Sequence, residues 1–160
     1  KIKTIISITS DWPLIDISII NRFINLFKKK NVDFLTNAHF RSYPDGMDVQ
    51  IFKYKALKKA LDLAVTKKDF EHATYVLRKN KKLFKTFHVF APKKLYYPNL
   101  GLTLDELDDF KLIKKIILSF NENYIFSCED IINLFKKRKK LFKINSKVKR
   151  NSYLIEEGVN

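Results

Sequence analysis

Over the first thirty residues the apolar pattern changes period across a proline, and this change limits the folds open to the chain. Residues 2–8 are a β-branched run, Ile-Lys-Thr-Ile-Ile-Ser-Ile, that reads as a strand. Asp11-Trp12-Pro13-Leu14 interrupts it, because Pro13 fixes its own torsion and forces a loop. Asp16 then offers a cap to a helix whose apolar positions Ile19, Ile20, Phe23, Ile24 and Phe27 recur at helical spacing. Lys28, Lys29 and Lys30 close that helix, where cations suit the negative end of the dipole.

The same succession continues downstream. Residues 32–36 and 47–52 read as strands on either side of Tyr43-Pro44-Asp45-Gly46, a turn in which Pro44 presets one torsion and Gly46 tolerates a positive one. Helices are expected over 55–65 and 70–80, and strands over 84–90 and 100–104. Asp105 is then expected to cap a helix that buries Leu107, Phe110, Ile113, Ile116 and Ile117. A last helix is expected over Cys128–Lys137, with Ser127 as its cap and Glu129 and Asp130 in its first turn. Strands alternating with helices predict an α/β protein built on a layered sheet. No Gly/Ser-rich or Pro-rich linker divides residues 1–160, so they read as a single domain. The chain opens on a strand without an initiating Met, which is the expectation for a piece of something longer.

Composition removes several function classes. No apolar run is long enough to span a bilayer, and residues 1–8 are too short and too polar to form a secretory signal core. The lone Cys128 excludes an internal disulfide and points to a reducing, cytoplasmic setting. A net charge of +15 raises nucleic-acid binding, for which residues 136–140 and 147–150 are the best support. Yet the charge is nearly all Lys, with Arg only at positions 22, 41, 78, 138 and 150, and phosphate recognition exploits the planar Arg fork. Abundant Lys, Ile, Asn and Phe with only three Gly fit an AT-rich genome, so the charge reads as a solvated surface.

Candidate chemistry centres on carboxylates. Asp11 follows a strand, where ligands of open α/β sheets gather, although it would also serve as a simple turn cap. Asp105, Glu106, Asp108 and Asp109 form the densest acidic patch in the chain; such a patch suits Mg²⁺ and equally suits a helix N-terminus. If both strands lie in one sheet, Asp11 and Asp105 converge on one metal, as metal-assisted transfer at phosphorus requires. His72 opens a predicted helix and has no second His or Cys at zinc-ligand spacing, while His39 and His88 lack any supporting pattern. Glu129 and Asp130 disfavour a thiolate at Cys128, and no Gly-rich phosphate loop is present.

Five landmarks in order resemble one family. Asp11-Trp12-Pro13-Leu14-Ile15-Asp16 is similar to the Asp-x-Pro-Leu-Ile-Asp element of cytidylyltransferases that activate sugars, above all the spore coat polysaccharide biosynthesis type. The acylneuraminate and 3-deoxy-manno-octulosonate cytidylyltransferases are more distant. Tyr43-Pro44-Asp45-Gly46-Met47-Asp48-Val49, Asp69-Phe70-Glu71-His72-Ala73-Thr74, the segment from Leu102 to Phe110, and the ending around Ile144-Asn145 and Lys149-Arg150-Asn151 supply the other four. The resemblance implies a nucleotide-diphospho-sugar transferase-like (GT-A-like) layered mixed sheet, represented by its C-terminal portion and lacking the N-terminal nucleotide-binding strand and loop. It implies transfer of CMP from CTP to an acidic or amino sugar, with release of pyrophosphate. Asp11 and Asp105 would hold Mg²⁺ and act as the catalytic pair, with Tyr43, Gly46, Glu71 and His72 at the sugar.

The sequence departs from that pattern at four charged positions. Ser7 stands where an Arg is usual, Gln50 for a Glu, and Phe70 and Gly101 each for an Arg. Each lost cation removes a charge-assisted bond of about 1.5–3 kcal/mol. The expectation is therefore an enzyme domain that is incomplete or inactive alone, working as a homo-oligomer or with a separate N-terminal half. A non-catalytic interaction module that keeps the fold is the alternative.

Overall fold

The computed structural model describes residues 2–72, 74–121 and 125–150. Its strands are β1 (Thr4–Ser7), β2 (Phe34–Thr36), β3 (Gln50–Lys53) and β4 (Thr86–His88), and its helices are α1 (Ile17–Lys30), α2 (Tyr54–Asp62), α3 (Lys67–Glu71), α4 (Tyr75–Lys79), α5 (Leu107–Ser119) and α6 (Cys128–Lys137). The described strands form one mixed sheet in the order β1-β3-β2-β4. β3 runs antiparallel to both β1 and β2, and β4 runs parallel to β2. β1, β2 and β4 therefore point the same way, and their carboxyl ends share one edge of the sheet.

Side chains paired across strands lie on one face, and each face has its own core. Ile5, Phe52 and Phe34 are in register and pack with Ala56, Ala60, Val76 and Leu77, so α2 and α4 cover that side. Leu35, Ile51 and Phe87 point the other way, into a larger cluster with Phe23 and Phe27 of α1, Leu112 and Ile116 of α5, and Ile131 and Ile132 of α6. β1 is an edge strand whose Ile6 remains 39% exposed.

Capping explains where the two best-defined helices begin. Asp16 Oδ1 accepts from Ser18 N at 2.7 Å at the start of α1, and Asn31 ends that helix in the left-handed region. Asp16 Oδ2 accepts from Cys128 N at 2.8 Å, so one buried carboxylate serves the N-termini of both α1 and α6. Ser127 completes α6 with a capping box to Asp130.

Three expected elements differ. Residues 70–80 are not one helix, because His72 is extended and separates α3 from α4; α3 begins in its own capping box between Thr66 and Asp69. Residues 100–104 form only an isolated bridge, Asp45 with Gly101. The cap of α5 is Glu106 rather than Asp105, and the carboxylate of Asp109 accepts from both Asp105 N and Glu106 N. That start turns the buried face to Asp109, Leu112, Ile113 and Ile116, leaving Leu107 and Phe110 exposed.

Candidate functional site

The shared carboxyl edge of β1, β2 and β4 is where the loops carrying the candidate carboxylates start. Ser7 pairs with Gln50, Gln50 with Thr36, and Thr36 with His88, so these four uncharged polar residues form one row across the sheet. Thr74 donates its hydroxyl to Gln50 Oε1 at 2.6 Å, which ties the turn after His72 to the row. Loops leave this edge in three places. Asp11 lies beyond β1. Asn37 lies beyond β2, where its side chain donates to Met47 O and accepts from Val49 N, both at 2.8 Å, and so closes the loop between β2 and β3. Beyond β4 the chain runs through Pro92 to Leu100.

Residues 100–104 thread between the first two of these loops. Asp45 N donates to Leu100 O at 2.8 Å, Leu102 N donates to Asp45 O at 2.8 Å, and Leu104 N donates to Asp11 O at 2.9 Å. The last of these bonds sets Asp105 on backbone adjoining Asp11. Asp11 is half-buried, whereas the Asp105 side chain is 51% exposed. Both offer the hard oxygen donors that Mg²⁺ prefers. No group of three or more metal-ligating side chains occurs among the described residues. A pair of carboxylates still suits Mg²⁺, which takes one or two from a protein and fills its remaining positions with water and phosphate oxygens.

A ladder of charges runs beside this pair. Arg41 lies 2.9 Å from both Asp48 and Asp45, and Arg150 lies 3.9 Å from Asp45, 3.5 Å from Asp105 and 2.6 Å from Asp109. Burial alone would weaken the charge of Arg41, but the flanking Asp48 and Asp45 overcome it and keep the guanidinium ionised. Burial pushes Asp48 above the usual carboxylate range against the pull of Arg41. Burial acts the same way on Asp109, but bonds from Asn145, Arg150 and Glu106 outweigh it and hold this carboxyl below the usual range. Asn145 donates to Asp109 Oδ1 at 2.7 Å and to Gly101 O at 3.0 Å, fastening the C-terminal segment to the site. A cleft of about 810 Å³ opens alongside, lined in part by Arg41, Asp45, Tyr97, Asn145 and Arg150.

The other sequence candidates take different positions. Tyr43 is buried and its hydroxyl accepts from Arg22 at 3.0 Å, so it shapes the loop from inside. Gly46 has φ +92°, and its Cα faces the backbone of Leu102, which a Cβ would meet at 2.8 Å. Glu71 is exposed at the end of α3, and His72 is half-buried at its C-cap, joined to the sheet edge through Thr74. Burial, aided by Asp16 and Glu129, pushes the Cys128 thiol up to about 12, so it is no nucleophile.

Sequence reasoning missed two groups. Arg41 carried no local signature, Asn145 and Arg150 fell within a resembling segment without a role, and Asp109 was read only as one of four carboxylates in the acidic patch. His88, the last residue of β4, comes together with His39, Phe40 and Phe90 just past the ends of β2 and β4, with ring centroids 4.4–6.3 Å apart. The ring nitrogens of both histidines are buried and find no hydrogen-bond partner among the described residues. Burial lowers both, with Lys81 and Arg78 adding to the effect at His39, and His88 is held at about 4.

No family model matches the sequence. It is 31% identical over 149 residues to an uncharacterized protein of Methanocaldococcus jannaschii, covering 93% of this chain and 60% of the relative. The solved structure of a cytidylyltransferase from Leptospira borgpetersenii serovar Hardjo-bovis superposes with a TM-score of 0.80 at 30% identity. The chain is similar in fold to a cytidylyltransferase. The match covers 88% of this chain and 58% of that one, so the chain spans about three fifths of the length of each relative. No helix among the described residues is long and apolar enough to cross a membrane.

Proposed function

We propose that this chain supplies the metal-holding and sugar-facing part of a cytidylyltransferase that makes a CMP-sugar. The observation that supports this reading is the Leu104–Asp11 backbone bond, which joins the backbone just before Asp105 to that of Asp11. Similarity in fold to a cytidylyltransferase supports the reaction class, and the ordered landmarks support a GT-A-like sheet acting on a sugar. In the reaction a sugar hydroxyl oxygen attacks the α-phosphorus of CTP. The bond to the β-phosphate oxygen breaks, pyrophosphate leaves with the electron pair, and the hydroxyl proton is released. Asp11 and Asp105 would hold Mg²⁺, whose chemistry here is neutralisation of charge building on the phosphate oxygens. His72 and Glu71, beside the Thr74–Gln50 contact, would face an acidic or amino sugar, while buried Tyr43 and Gly46 set the shape of the loop.

Because the chain spans about three fifths of its relatives, the full activity is proposed for a protein that also supplies the rest of the nucleotide grip. Calorimetric titration of CTP with Mg²⁺ into this chain and into Asp105→Ala tests the assignment. Heat of binding that disappears in the variant is the expected result. Equal binding by both chains at millimolar CTP would remove Asp105 from the site.

A further inference from the structure

We propose that Thr103 and Arg150 are positioning residues that hold the Asp105 carboxylate with one oxygen open to a cation. This inference rests on the metal-holding role of Asp105 given above. Arg150 approaches only because residue 101 has no side chain: a Cβ at Gly101 would overlap the Nε, Cζ and Nη2 atoms of the guanidinium. Once there, Arg150 is held by the fully buried Asp109 through Nη2 at 2.6 Å and donates through Nη1 to the hydroxyl of Thr103. A hydroxyl has a single hydrogen, so accepting from Arg150 turns that hydrogen toward Asp105. Thr103 Oγ1 donates it to Asp105 Oδ2 at 2.9 Å.

Two consequences follow from this relay. Oδ2 is committed to the protein, and among the described residues Oδ1 is the oxygen without a partner. Thr103, which is 5% exposed, bonds both groups from one side, accepting from the guanidinium and donating to the carboxylate. Arg150 Nη1 stays 3.5 Å from Oδ2, beyond the 2.7–2.9 Å of a direct charge-assisted bond. The arginine thus orients Asp105 without saturating it. Without the hydroxyl, the guanidinium is free to close on Asp105 and compete with an incoming cation.

The test is Mn²⁺ binding, read by the loss of the free-ion electron paramagnetic resonance signal, in folded chains checked by thermal melting. Thr103→Val keeps the shape of the side chain and removes the relay; it should weaken Mn²⁺ about ten- to a hundredfold, the worth of one charge-assisted bond. Thr103→Val with Arg150→Gln removes the competitor as well and should recover most of that loss. A purely structural role for Thr103 would make the double variant as weak as the single one or weaker, and that result overturns the proposal. Asp105→Asn separates the two levels of inference. If it abolishes Mn²⁺ binding while Thr103→Val binds like the parent chain, only the relay fails. If Asp105→Asn binds Mn²⁺ like the parent chain, or no chain binds it, the metal reading and the relay fall together.

Discussion

Replacing Asp16 by Ala should destabilise the chain more than a single lost cap, because this carboxylate closes two helices. At α1 its Oδ1 accepts from Ser18 N at 2.7 Å, and loss of an N-cap of this kind costs about 1 kcal/mol. At α6 its Oδ2 accepts from Cys128 N at 2.8 Å in a fully buried position. That N–H would be left without an acceptor and out of reach of water, at a cost of about 1–3 kcal/mol. The two effects together come to roughly 2–4 kcal/mol, a large share of the 5–15 kcal/mol typical of a whole domain. Asp16→Asn has a single acceptor oxygen and can serve only one helix well, so it should fall about midway. The assay is urea unfolding followed by far-UV circular dichroism, with midpoints compared at constant slope. An Ala variant within about 0.5 kcal/mol of the parent would refute the double-cap account, the size of an ordinary surface change. So would an Asn variant as stable as the parent.

Two further outcomes follow from the site. Burial, with His39 beside it, holds His88 at about 4, against about 6.5 for an unfolded histidine. A base depressed in this way stabilises the fold fully above pH 6.5 and loses that contribution as pH falls toward 4. The urea midpoint should therefore decline across this window and decline less in His88→Phe; equal slopes for the two chains would exclude the effect. Gly46→Ala meets both a φ of +92° and the Leu102 backbone at 2.8 Å, so it should cost at least about 2 kcal/mol. A thermal melt within a degree or two of the parent would contradict the packing of this turn on Leu102.

Local chemistry was readable in the sequence, and closure between distant segments was not. The starts of α1 and α6 were legible because Asp16 and Ser127 act on backbone a few residues away. The break between α3 and α4 was hidden because the Thr66–Asp69 capping box and the reach of Lys79 back to Asp69 favour two short helices over the longer one that periodicity suggested. Residues 100–104 alternate like a strand, yet their backbone bonds go in turn to Asp45 and Asp11, two separate loops and no single neighbouring strand. At the site, Asp11 and Asp105 were found from their places after apolar runs. The Arg150 contact over Gly101 spans 49 positions and leaves no trace in local spacing. Two of the departures from the family pattern, Ser7 and Gln50, proved to be direct cross-strand partners, so an expected Arg and an expected Glu are replaced together by an uncharged pair.

The shared cap also sets an order of events during synthesis. Asp16 and Cys128 are 112 positions apart, and a ribosome adding about 5–20 residues per second needs roughly 6–22 seconds to travel that far. Through that interval α1 can form and β1 can find β3, but half of the Asp16 carboxylate has nothing to receive. The larger core is likewise open until α5 and α6 emerge. A nascent chain halted before residue 128 should thus remain sensitive to protease around α1, and only the arrival of α6 would seal it.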